Sequence, residues 1–118
     1  MTSLNDILFL TVIAWIWAHE LDAVQKHEWR LLPGLSSLND LLAYRLFVLL
    51  HIPLLVWIVW SAPNPAFQIG FNVFVIVHGG LHWLLRRHPK YEFHDPLSHL
   101  LIFGAVPLAA LHLAILMV

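Results

Sequence analysis

Residues 41–60 read LLAYRLFVLLHIPLLVWIVW, a run in which only Arg45 carries a permanent charge. An α-helix needs about 20 mainly apolar residues to cross a hydrocarbon core that is about 30 Å thick. Because a chain in lipid must satisfy its own backbone hydrogen bonds, a single run of this length is expected to be helical. The stretch therefore predicts a transmembrane helix.

Three further apolar stretches repeat this signal: one starts at Ile7, one covers about residues 66–85, and one covers about residues 97–118. Capping side chains and prolines at expected helix starts support the division, as at Asn64-Pro65 and Asp95-Pro96. The predicted helices cover about residues 4–31, 38–60, 65–88 and 96–117. We expect a single domain over residues 1–118, an all-α integral membrane four-helix bundle with short loops.

The composition agrees with this class and excludes others. Of the 118 residues, 60% are hydrophobic and 11% are charged, whereas soluble domains have about 45–50% and about 25%. The net charge of −1 gives no basic surface of the kind that binds nucleic acid. Since the chain has no Cys, disulfides and thiolate metal ligands are excluded, and attention turns to its nine His.

The basic residues predict the orientation of the helices. All six flank the first or the third connection between predicted helices. They are Lys26, Arg30, Arg45, Arg86, Arg87 and Lys90. The positive-inside rule therefore places the 1–2 and 3–4 loops in the cytoplasm and both termini outside.

Several ionisable side chains fall within the apolar stretches, in their central and cytoplasmic parts. Such groups are costly in lipid, so they are expected to face the bundle interior and to find partners there. The sharpest motif is His78-Gly-Gly-Leu-His82, since an i, i+4 pair projects both imidazoles from one helix face. The candidate metal ligands are His19, Glu20, His51, His78, His82 and His99, and Glu20 is also the candidate general base. Nitrogen and oxygen donors without sulfur suit iron or zinc.

Each candidate also has a purely structural interpretation. The two His of the 78–82 motif could bond to carbonyl, Ser or Tyr groups across the bundle. His51 lies two residues before Pro53 and could repair the hydrogen bonding there. His27, Glu28 and Arg30 are typical of a solvated helix end at the lipid headgroups.

Short strings spread over nearly the whole chain include HELDA at 19–23, HEWR at 27–30 and HGGLH at 78–82. On these strings the chain resembles a bacterial family of small four-helix, His-rich membrane proteins of unknown function. It is also faintly similar to the membrane family named for a His-x-x-Glu-Glu motif, from which Asp22-Ala23 departs. The resemblance implies a membrane protein, of the bacterial inner membrane, with a His/Glu polar signature, and no particular reaction.

Three functions from different classes follow. The first is a metal-dependent membrane protein, an oxidoreductase or hydrolase that acts on a lipid-like substrate. The alternative is an accessory subunit of an electron-transfer or photosynthetic complex, in which His ligate haem or a chlorophyll-type pigment. The third is a proton or metal-ion pathway, which would require a homo-oligomer or a larger membrane complex.

Overall fold

The computed structural model of the protein describes residues 3–118, and it is all-helical over that range. The helices are α1 (Leu4–Gln25), α2 (Asp40–Ser61), α3 (Pro65–Leu85), α4 (Pro96–Phe103) and α5 (Ala105–Leu116). Two short 3-10 helices, Glu28–Leu31 and Leu35–Ser37, lie between α1 and α2. With α4 and α5 taken together, four helical segments are long and apolar enough to cross a membrane.

Helices α3 and α4 begin at Pro65 and Pro96, the two positions at which capping residues and prolines predict helix starts. Asn64 Oδ1 accepts a hydrogen bond from the Ala66 amide, and Asp95 Oδ1 accepts one from the Ser98 amide. Proline at the first helical position costs nothing there, because that amide has no helical partner. The start of α2 lies at Asp40, where the cap is Asn39.

The end of α1 differs from the prediction. Helix is expected to about residue 31, but α1 ends at Gln25 and the chain reverses at His27, whose φ of 55° lies in the left-handed region. This conformation is uncommon outside glycine and costs of order 1–3 kcal/mol. The turn is supported by the contact of His27 Nδ1 with Glu92 Oε2 at 2.8 Å. As a result, residues 28–31 turn back toward the bundle.

The fourth segment is interrupted at Gly104, between α4 and α5. Pro107 supplies no amide for the carbonyl of Phe103, and its ring crowds that carbonyl. At the break, the carbonyl of Leu100 accepts two hydrogen bonds, from the Gly104 amide at 2.9 Å and from Trp15 Nε1 at 3.0 Å. By contrast, α2 continues through Pro53.

Two apolar clusters hold the bundle together. One includes Phe9, Val12 and Val75 and joins α1, α3 and α5. The other lies toward the end of the bundle that carries the two longer connections, and it includes Trp29 and Phe93. The ion pair of Lys26 with Asp95 and the contacts of His27 and Arg30 with Glu92 join those connections to each other. Both connections therefore close the same end of the bundle.

The two glycines of the 78–82 motif have different environments. A Cβ on Gly79 would lie 2.5 Å from Cγ2 of Val106, whereas a Cβ on Gly80 would meet nothing within 4 Å. Gly79 thus permits the close approach of α3 and α5, and Gly80 lies on the outer face. The close approach places the α3 histidines deep in the bundle.

Candidate metal centre

Four side chains converge inside the bundle: His19 from α1, His78 and His82 from α3, and Glu28 from the first 3-10 helix. One ligand atom from each lies within 4.8 Å of the others. Glu28 Oε2 is 3.1 Å from His19 Nε2 and 3.6 Å from His82 Nε2. The three imidazole rings have centroid separations of 4.5 to 5.0 Å.

These donor atoms are buried and unsatisfied. Both ring nitrogens of His78 and Nδ1 of His19 are inaccessible and have no hydrogen-bond partner within the described residues. His19 Nε2 and Glu28 Oε2 are also inaccessible, and their contact at 3.1 Å lacks hydrogen-bond geometry. Buried polar atoms are nearly always paired, and an unpaired one costs about 1–3 kcal/mol. Several such atoms around one point favour a bound ion.

Glu28 reaches the cluster because of the left-handed turn at His27. The two residues that follow Glu28 hold the 3-10 segment in place through contacts with Asp40 and Glu92. Trp29 Nε1 donates to Asp40 Oδ1 at 2.9 Å, and Arg30 pairs with Asp40 at 2.8 Å and with Glu92 at 3.4 Å. The carboxylate of Glu28 is therefore positioned by the backbone and by contacts that the metal ligands do not share.

The loop between α3 and α4 covers the cluster. Phe93 is fully buried, and its ring lies 5.6 Å from the His19 ring and 4.8 Å from the His82 ring. The hydroxyl of Tyr91 lies 3.0 Å from His82 Nδ1. A metal on Nε2 requires the proton on Nδ1, which then donates to the Tyr91 oxygen. Such an outer contact orients a metal-bound imidazole.

The electrostatics of the covering segments agree with this arrangement. Burial raises the pKa of the Glu28 carboxyl, but the neighbouring His19 and His82 imidazoles outweigh that effect and hold the pKa well below its usual range. Burial and the nearby Glu28 carboxylate raise the pKa of the Tyr91 phenol to about 12. Near neutral pH, Glu28 is thus a carboxylate anion and Tyr91 a neutral phenol.

Glu20 and His51, both candidate ligands, form a separate pair outside the cluster. Glu20 Oε2 lies 2.6 Å from His51 Nε2, and His51 Nδ1 lies 2.6 Å from the carbonyl of Phe47. That last contact joins the imidazole to a carbonyl four residues earlier on α2, and not to that of Leu49, which Pro53 leaves without a helical donor. The pair therefore links α1 to α2 without taking part in the four-residue cluster.

The sixth candidate ligand, His99, lies apart from the cluster as well. His99 is exposed on α4, with its ring against Phe103. Asp22, which shares a face of α1 with His19, accepts a hydrogen bond from Ser98 Oγ at 2.6 Å. Of the six candidate ligands, the structure brings together His19, His78 and His82.

Comparison with known proteins gives a family without a known activity. A family model matches residues 5–118 of the chain. The chain belongs to DUF6713, a family of unknown function. No curated protein and no solved structure matches it significantly. The expected membership of a family of unknown function is confirmed, whereas the bacterial origin and the similarity to the His-x-x-Glu-Glu family stay predictions.

In this DUF6713 chain, sequence reasoning did not select Glu28, Tyr91 or Phe93 for the site. The string HEWR at 27–30 has the polar residues that are typical of a solvated helix end. A signal for Tyr91 and Phe93 was available, since two aromatic residues in a charged loop are candidates for burial. No local pattern signals the turn at His27 that brings Glu28 inward.

Proposed function

We propose that this protein is an integral membrane protein that holds one transition metal ion, iron or zinc, between His19, Glu28, His78 and His82. The observation that carries the proposal is the cluster itself: four ligand atoms within 4.8 Å of one another, most of them buried without a hydrogen-bond partner. An ion would satisfy all of these atoms at once. Its positive charge would also offset the buried carboxylate.

The spacing of the donor atoms supports a metal ion. With metal–ligand bonds of about 2.0–2.2 Å, the ligand atoms of a tetrahedral site lie about 3.3–3.6 Å apart. The separations of 3.1 and 3.6 Å from Glu28 Oε2 to the two imidazole nitrogens bracket that value. Four donors around one point also favour a single ion over haem, which takes one or two axial ligands from the protein.

The identity of the metal decides what the centre can do. Zinc with four protein ligands is typical of a structural site, because its coordination shell is then closed. Iron accepts more ligands, and an iron site with four protein ligands keeps positions for a substrate. Iron would supply redox chemistry, while the protein residues orient and bury the site.

The membrane placement rests on the four apolar segments and on charge. Each segment has the length and the hydropathy of a membrane span. Since all six Lys and Arg flank the two connections that close one end of the bundle, that end is proposed to face the cytoplasm. The metal centre would then lie in the cytoplasmic half of the membrane.

A second observation favours a more specific function. The protein would then be a metal-dependent oxidoreductase or hydrolase that acts on a lipid-like substrate. Glu20, which is paired with His51, lines an apolar cavity beside the cluster. A carboxylate in contact with an imidazole can take a proton from a reacting group or give one to it, which is general acid and base catalysis. Glu20 is the proposed acid or base of such a reaction.

Elemental analysis and an optical spectrum of the detergent-purified protein test the metal centre. We expect about one iron or zinc ion per chain and no Soret band. His78→Ala and His82→Ala should each lose the ion, whereas His99→Ala, which changes an exposed His, should retain it. Full occupancy in His78→Ala, or no uptake by the wild type from metal-supplemented medium, would contradict the proposal. A Soret band would favour the haem alternative.

A further inference from the structure

A second feature lies between α1, α2 and α3: an apolar cavity of about 480 Å³. Its walls are mainly aromatic and aliphatic, and its lining includes Trp17, Trp57, Phe67, Phe71, Phe74 and a single ionisable residue, Glu20. Sites for small ligands have volumes of about 300–1,000 Å³ and apolar walls with a few polar groups that orient the ligand. We propose that this cavity binds a neutral long-chain alcohol, with its hydroxyl at Glu20 and its chain along α3.

The polar end of the cavity is built to accept a hydrogen bond. Glu20 Oε2 is engaged by His51 Nε2 at 2.6 Å. Because the carbonyl of Phe47 only accepts, His51 Nδ1 carries a proton, and the contact of Nε2 with Glu20 Oε2 requires a second proton that these two atoms share. The other oxygen of Glu20, Oε1, makes no hydrogen bond within residues 3–118, and it is accessible. A ligand hydroxyl can donate to that oxygen.

Charge selects against other head groups. An anionic head has no hydrogen to donate to Glu20 Oε1 and would place its own negatively charged oxygen against that acceptor. A cationic head would have to lose its hydration shell, which costs far more than burying a hydroxyl. A neutral head that donates one hydrogen bond avoids both costs.

The dimensions of the cavity fit the part of a chain that follows the head group. Its α3 wall extends from Phe67 to Phe74, about two turns of helix, or roughly 10 Å at 1.5 Å per residue. Leu54 and Ile58 form part of the facing wall on α2. Because every lining residue other than Glu20 lacks an ionisable group, a hydrocarbon chain meets matching surface along this whole length.

The cavity adjoins the proposed metal centre. Phe74 lines the cavity, and its ring lies 5.7 Å from the ring of His78. Glu20 directly follows His19 in the chain. The inference therefore deepens the proposed function by naming a ligand class, and it rests on that function for the supply of ligand from a bilayer.

The chain offers a matched pair of variants. Gly70 lines the cavity, and a Cβ built on it meets nothing within 4 Å. Gly70→Leu should therefore fill the cavity without disturbing the contacts between helices. Gly80 lies on the same helix, is equally open and does not line the cavity. Gly80→Leu is the control for the change in helix propensity and surface.

Photo-crosslinking in phosphatidylcholine vesicles tests the site. The probe is octadecanol that carries a diazirine in its chain. The labelled peptides are identified by mass spectrometry. We expect saturable labelling of the peptides that hold residues 54–58 and 67–74. Gly70→Leu should lower this labelling by about 5–150-fold, because overfilling a site costs of order 1–3 kcal/mol. Gly80→Leu should label as the wild type does.

Competition tests the contact with Glu20. Unlabelled octadecanol should displace the probe at an at least about tenfold lower concentration than its methyl ether, which has no hydrogen to donate. Equal competition by the two compounds would overturn the head-group assignment. Octadecanoic acid should compete less well than the alcohol, and the reverse order would overturn the charge argument.

The outcomes separate this inference from the metal proposal. Unsaturable labelling spread evenly over the apolar faces of the helices, or unchanged labelling of Gly70→Leu, would overturn the cavity site. If that happens while the protein still contains its metal ion, only this inference fails. If saturable labelling occurs in a protein that takes up no metal, only the metal proposal fails.

Discussion

Replacing Glu28 by Gln changes one oxygen of the proposed metal centre to an amide nitrogen and removes the only negative charge among the four ligands. Loss of an outer-shell contact typically weakens metal binding by 10–100-fold, so loss of the anionic ligand itself should weaken it by at least about 100-fold. The side chain keeps its shape, and the imidazoles stay in place. The expected defect is therefore one of metal affinity rather than of folding.

The size of the effect can be read from stability. An ion present at about 100 times its dissociation constant stabilises the folded protein by about 2.7 kcal/mol. With affinity at least about 100-fold weaker, the same ion concentration half-saturates Glu28→Gln at most and contributes less than about 0.4 kcal/mol. Metal addition should thus raise the unfolding temperature of the wild type by several degrees and that of the variant by little.

The assay is thermal unfolding in detergent, followed by far-ultraviolet circular dichroism with a chelator and then with added zinc or iron(II). Glu20→Gln is the matched control, since Glu20 is also a mostly buried carboxylate but is paired with His51 outside the cluster. We expect the control to keep the metal-dependent rise in unfolding temperature. An undiminished rise in Glu28→Gln would refute the ligand assignment, and its loss in Glu20→Gln would return Glu20 to the ligand set.

Three further outcomes are expected. Tyr91→Phe removes the hydroxyl that contacts the imidazole of His82. The metal dissociation constant, measured by chelator competition, should therefore rise about 10–100-fold. An unchanged dissociation constant would argue against a role of Tyr91 in orienting His82. Gly79→Ala should destabilise the protein by about 1–3 kcal/mol in chemical unfolding, and Val106→Ala should restore the lost stability. Gly80→Ala should be neutral or stabilising. Equal effects of Gly79→Ala and Gly80→Ala would contradict the packing of α3 against α5. The ion pair with Lys26 and the hydrogen bond from the amide of Ser98 lower the pKa of Asp95 to about 2. The ionised Asp95 therefore contributes to the stability of the folded protein above the ordinary pKa of 3.8, and this contribution is lost as the pH falls toward 2. The difference in unfolding temperature between the wild type and Asp95→Asn, which keeps the cap, should accordingly shrink over that range, and a constant difference would exclude the ion pair as its source.

The candidate residues illustrate what depth along a helix can and cannot predict. His19 and Glu20 lie at nearly the same position along the first apolar stretch, and for that reason both are candidate metal ligands. Consecutive residues on an α-helix point about 100° apart, since one turn takes 3.6 residues. His19 accordingly faces α3, while Glu20 faces His51 on α2. Which neighbour lies in each direction depends on how the helices pack, and depth carries no such information.

Local patterns alone determined several features of this protein. Long apolar runs predict helices that can span a membrane, and the capping residues place the starts of α3 and α4, because backbone hydrogen bonding is satisfied within each segment. The spacing of His78 and His82 places both on one face of α3, because helical periodicity is a property of the chain. None of these inferences needs a neighbouring segment.

Tertiary structure decided which side chains share a centre. Glu28 enters the cluster only because the backbone at His27 adopts a left-handed conformation, which contacts with Glu92 and the pairing of Arg30 with Asp40 stabilise. Those partners lie 10 or more residues away along the chain, so no local pattern encodes the turn. A metal centre depends on the simultaneous position of several segments, and its free energy is gained only once all of them are packed.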